Sequence, residues 1–173
     1  MGKDMRKIAT ILFIICFVPL AAQNPGDVTF NTKGNATRII LTNAGAVTLN
    51  AVGDALRDEA WATHNSTLSK WGHLANAGSV GLTLTLPLNQ GFDTREWIWY
   101  VVSYAAMRVA IFDPVYNLVR GNEWNYHGTS SNWDRILGEI DPGDGLIVAR
   151  GVAFSIAVTI PIHEWGKNRN KYW

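Results

Sequence analysis

The spacing of hydrophobic and polar positions changes several times along the chain, and each change predicts an element. From Leu49, apolar positions recur at three and four (Leu49, Val52, Leu56, Ala60, Trp61), while Asp54, Arg57, Asp58 and Glu59 take the remaining surface. That period predicts an amphipathic helix lying on a core or at a membrane interface. Asn65-Ser66-Thr67 interrupts it, and Leu68, Trp71, Leu74 and Ala75 resume it. Between residues 80 and 88 the period becomes two: Val80, Leu82, Leu84, Leu86 and Leu88 alternate with Gly81, Thr83, Thr85 and Pro87. Alone this reads as a strand; taken from Trp71 to Leu88 it is a stretch of the length of a membrane span, uncharged unless His73 is protonated.

Two more apolar runs follow. Residues 97–120 begin with Trp97-Ile-Trp99-Tyr100, contain a lone Arg108, and meet Asp113-Pro114 before ending. Residues 146–162 are apolar except for Arg150, and also read both ways. Their even positions are bulky, as in a strand, whereas Ala149, Ala153 and Ala157 recur every four as a small-residue face suited to close helix packing. The polar connector 120–145 holds Ser131 and Asp134 at the spacing of a helix-capping box, closed by Asp141-Pro142-Gly143.

At the N-terminus, Lys3, Arg6 and Lys7 precede the apolar run Ile8 to Leu20 and then Ala21-Ala22. This is the layout of a secretory signal, with cleavage expected after Ala22 or retention as an anchor. Residues 23–48 carry turn-forming Asn, Gly and Pro clusters and are expected to be an extended polar leader with short strands at most. The division is therefore 1–22 signal or anchor, 23–48 leader, 49–173 a single domain.

Composition sharpens this picture. Charged residues are 17% of the 173, below the usual quarter of a soluble domain, and there are eight tryptophans. Both tilt the reading toward a membrane. The net charge of +1 gives no field to attract nucleic acid, and the single Cys16 excludes an intrachain disulfide framework. Spans near 71–88, 97–116 and 146–163 place the tail, with Lys167, Arg169 and Lys171, on the cytoplasmic side, as the positive-inside rule asks. The expected fold is mainly α, a small helical membrane protein with about three embedded helices plus an amphipathic helix. An exported mixed α/β domain and a small β-barrel are the alternatives, the barrel lacking enough alternating segments.

Candidate chemistry centres on Arg108. A central arginine in a lipid-embedded helix costs roughly 2.5–3.5 kcal/mol, so it should face the bundle and find a partner. Asp113 is about 140° away around the helix and a poor one; Asp54, Asp58 or carbonyls freed by Pro114 are better. Asp113, Tyr116 and Asn117 surround a possible kink, although Asp113 is expected instead to cap a helix restarting at the proline. His73, His163 and Glu164, with Asp58, make a weak candidate for a metal or acid–base group assembled across segments, and His127 lies in a Tyr-His-Gly-Thr-Ser-Ser stretch carrying hydrolase residue types without a nucleophile turn. Compact metal pairs, phosphate-cradling glycine loops and cofactor motifs are absent from the sequence, so no metal or cofactor is expected. The expected role is structural or interactive, with lipids and a membrane partner or a second copy met through Ala149, Ala153 and Ala157. A membrane enzyme or transport accessory with a polar site around Arg108 and Asp113 is the alternative, and an exported soluble binding domain a third.

Overall fold

The computed structural model describes residues 36–124, Glu139 and residues 145–166. The signal-like start, His127, the Ser131–Asp134 box and the basic tail lie outside them. Among the described residues the chain is 92% helical, with four long helices and no strand. They are α1 (Ala36–Thr63), α2 (Ser66–Gln90), α3 (Thr94–Arg120) and α4 (Gly145–Gly166). Of these α1, α3 and α4 are long and apolar enough to cross a membrane.

The helix starts and stops are written in the sequence. Asn65 caps α2, its side-chain oxygen accepting from the Thr67 and Leu68 N–H groups, so the interruption read there is a tight helical hairpin. Asp93 and Glu96 form a reciprocal capping box at the start of α3. Gly91 and Gly121 end α2 and α3 at φ of 58° and 75°, the left-handed conformation that glycine adopts without strain.

Inter-helix bonds fix the arrangement. Between α1 and α3 the partners are Asn43–Ser103, Asn50–Arg108, Asp58–Tyr116 and Glu59–Arg120, a nearly constant offset that makes these two helices parallel. Arg95–Glu164, Ser103–Ala157 and Asp113–Arg150 run in opposite senses, so α3 and α4 are antiparallel. By the same test α2 is antiparallel to α1, through Asn50–Asn76 and Ala46–Ser79. Helix α1 is the central one, touching all three others, with 67% of its most apolar window buried.

Three expectations change. Residues 36–48 are not an extended leader but the first half of α1. Asn43-Ala44-Gly45, read as a turn signal, instead lies on the buried central helix, where small residues let neighbours approach from several sides and Asn43 finds Ser103. The alternating 80–88 segment is helical. Thr83 and Thr85 donate their hydroxyls to the Ser79 and Gly81 carbonyls one turn back, so they need neither water nor a sheet partner. Finally, α1 adds a long apolar helix beyond those expected, and the span assigned to 71–88 is not among the three apolar enough to cross. In this bundle the start of α1, the 91–93 turn and the end of α4 share one end. If all four helices cross, an exported start and a cytoplasmic tail cannot both hold.

Packing is dense where backbones are bare. A Cβ added to Gly53 would lie 2.8 Å from the Gly72 carbonyl oxygen, and one added to Gly72 would lie 2.7 Å from that of Gly53. The α1 and α2 backbones therefore touch at this crossing, which only glycine at both positions allows. At the end shared by the 91–93 turn and Trp165, Phe92 stacks on Trp165 at 5.6 Å and meets Tyr100 and Trp97 edge-on. Trp165 is buried in this cluster. At the opposite end Trp61 and Trp71 are exposed, at 85% and 53%.

Candidate functional site

The polar side chains of this bundle lie mainly inside it and at its ends, and its lateral surface is largely apolar. Val101, Val102 and Val109 on α3, with Val148, Val152 and Phe154 on α4, are exposed, whereas Asn43, Ser79, Ser103, Asn117 and Arg150 are buried. So much apolar lateral surface is not what water selects. A polar seam runs along α1 at helical spacing, from buried Asn43 through half-buried Asn50 and Asp54 to exposed Asp58.

The middle of the seam is a hydrogen-bonded chain. The Arg108 guanidinium donates to the Asn50 carboxamide oxygen, and Asn50 Nδ2 donates to Asn76 Oδ1 at 3.2 Å. Asn76 Nδ2 then donates to Asp54 Oδ1 at 2.8 Å, and Arg57 lies 3.6 Å from the same oxygen. One face of the Arg108 guanidinium covers the Phe112 ring at 4.0 Å. Asp54, expected as a direct partner of Arg108, thus reaches it only through two asparagines.

Asp113, Tyr116 and Asn117 do not converge. Helix α3 continues through Pro114, so Asp113 is not a cap; its carboxylate faces Arg150 of α4 at 3.4 Å. The break was expected because proline disfavours helix before it, but Arg150, buried to 5% exposure, holds the preceding acid against α4. The Tyr116 hydroxyl donates to Asp58 on α1, and Asn117 donates to the Trp124 carbonyl at the end of α3. Arg120 and Glu59 close this end of the seam at 2.7 Å.

The histidine group is not assembled. His163 bonds the neighbouring Glu164 at 3.0 Å, and Glu164 pairs with Arg95 at 3.0 Å, at the Trp165 end. His73 lines a cavity of about 480 Å3 with Arg57, Asp58, Trp61 and His64 at the other end. The register between helices separates the two sites by roughly 27 Å at 1.5 Å per residue. No three metal-ligating side chains come together among the described residues.

Helix α3 also repairs the two helices that contain buried prolines. Pro87 in α2 and Pro161 in α4 have no N–H, so the carbonyls one turn earlier, those of Thr83 and Ala157, lose their usual donors. The Tyr100 hydroxyl donates to Thr83 O at 2.9 Å, and the Ser103 hydroxyl donates to Ala157 O at 2.9 Å while accepting from Asn43 at 3.1 Å. In lipid such freed groups have no water to turn to and are satisfied by neighbouring helices. Neither Tyr100 nor Ser103 stands out in the sequence. The signal that points to them is the pair of prolines, each needing a donor from another helix at its own depth.

A second cavity, about 290 Å3, opens between α2 and α3, which meet weakly below Tyr100. Asn50 forms its floor, Val80 and Leu84 one wall, and Tyr104 the other. The small-residue face of α4 is turned inward: Ala157 is fully buried against Val47 and Met107, and Ala149 and Ala153 are half-buried. Comparison with family models, curated proteins and solved structures finds no match to this chain.

Proposed function

We propose that this protein is a small integral membrane protein of the cell envelope whose role is structural or interactive rather than catalytic. The observation that carries the reading is the apolar lateral surface: exposed apolar side chains line the flanks of α3 and α4, while polar side chains within the bundle bond groups on neighbouring helices. In water, a largely apolar flank of this kind drives aggregation; in lipid it is the stable arrangement. The signal-like residues 1–22 support delivery to the envelope. The inward Ala157 argues that a partner meets some other face of the bundle than the alanine face.

Extraction of membranes with alkaline carbonate tests the reading. An integral protein stays in the pellet; release into the wash would assign the exported soluble domain instead. N-terminal sequencing of the mature chain tests cleavage after Ala22. The alternative of an enzyme or transport accessory working through Arg108 together with Asp113 has less support, since the two bind different helices.

A further inference from the structure

Arg108 lies near the middle of α3, about 16 Å of helix from the level of Trp97 and about 18 Å from Arg120, at 1.5 Å per residue. Arg57, Arg95, Arg120 and Arg150 each have a carboxylate within salt-bridge distance. Arg108 has none among the described residues: its hydrogen-bond partner is the neutral Asn50, and its other contact is the Phe112 ring. It is only half-buried. Snorkelling carries a side chain to a nearby interface, and mid-depth is far from either one. Arg108 does not itself line the α2–α3 groove but meets it through Asn50 at the floor, and one helical turn from Arg108 the groove is lined by Tyr104, whose hydroxyl makes no hydrogen bond among the described residues.

On the reading that this chain is membrane-embedded, we infer that the α2–α3 groove docks a transmembrane helix of another protein carrying a carboxylate at mid-depth, with Arg108 as its counter-ion and Tyr104 as a second donor. The complementarity is of charge and of hydrogen-bonding sense. Guanidinium and phenol hydroxyl both offer protons, and a carboxylate accepts from both. A second copy does not fit, because at this depth the exposed side chains of the described helices, among them Val101, Val102, Val109, Val152, Phe154 and Ser155, include no carboxylate.

The test uses the full-length protein in phosphatidylcholine vesicles and three dansyl-labelled leucine–alanine transmembrane peptides, identical except for a central Glu, Gln or Leu. Energy transfer from the protein's tryptophans reads association. The Glu peptide is expected to bind roughly 5- to 30-fold more tightly than the Leu peptide, the range for polar pairing between membrane helices. Arg108→Gln abolishes that gap, and Arg108→Lys keeps part of it. Tyr104→Phe, which leaves Asn50 and Arg108 in place, narrows it. Equal binding of the Glu and Leu peptides to the unaltered protein overturns the inference whatever the variants do. So does a Gln peptide that binds as well as the Glu peptide, since charge is then not what is recognised. Complete displacement of the Glu peptide by an equal concentration of oleate overturns it in favour of a carboxylated lipid. A protein washed from the vesicles by carbonate fails the membrane reading itself; one that stays but ignores the carboxylate fails only the inference.

Discussion

Helix α1 meets its two largest neighbours in opposite ways. Against α2 the two backbones touch where Gly53 and Gly72 meet face to face, with the Asn50–Asn76–Asp54 bonds beside the crossing. Against α3 it is a ladder of side chains from Asn43–Ser103 through Asn50–Arg108 to Glu59–Arg120. The difference teaches how a bundle holds together where burial of apolar surface supplies no driving force between helices. One interface adds backbone contact at close range to its few polar bonds, and the other is a succession of polar pairs along its whole length. The first tolerates no added atoms, and the second tolerates shape changes but not loss of a donor.

The comparison breaks most readily on its glycine side. Gly53→Leu places a side chain where the Gly72 carbonyl and Asn76 already sit, and should cost about 3 kcal/mol, the upper end for overpacking. Thermal unfolding in detergent micelles measures it; a loss below about 1 kcal/mol would mean that the two backbones do not touch. Next is Ser103→Ala, which removes one hydroxyl from three helices at once and leaves Asn43 and Ala157 O without that partner. A loss of about 2 kcal/mol is expected, within the range for orphaned buried groups, and Ser103→Thr should restore most of it.

A double-mutant cycle sharpens the polar side further. Tyr100→Phe should cost about 1 kcal/mol because Thr83 O loses its donor. The same change should cost nearly nothing in a Pro87→Ala background, where residue 87 regains the N–H that bonds Thr83 O. Equal costs in both backgrounds would show that the tyrosine acts by packing alone. The smallest effect belongs to Arg95→Gln. The Arg95–Glu164 pair sits at a bundle end with Arg95 72% exposed, so its removal should change stability by less than about 0.5 kcal/mol. A larger change would mark that end as more enclosed than the Trp61 end.

Much of this fold is legible in the chain, but unevenly. The aromatic-led run from Trp97 to Arg120 is one helix with a central arginine facing α1, as its composition demands, and the Asn65 interruption is a hairpin. The first half of α1 is not legible. Its Asn, Gly and Ala residues look like a loop because a helix surrounded by other helices needs small side chains and internal hydrogen bonds rather than an apolar stripe. The partners of the seam were half visible. That Arg108 needs a partner follows from the cost of burying charge, but the choice of Asn50 over Asp54, and of Arg150 for Asp113, depends on the register between helices.

By itself the sequence determined the break at Asn65, two of the three helices apolar enough to cross, and the demand that the charges inside them be answered. These follow from local hydrogen bonding and from the cost of bare polar groups, which act wherever the chain goes. Only the tertiary structure decided which helix is central, which face of α4 is inward, and that α3 supplies the donors missing at Pro87 and Pro161. Those outcomes depend on which residues share a depth. Depth is set by the Gly53–Gly72 crossing and by the parallel register of α1 and α3, pairings across tens of residues that local periodicity does not encode.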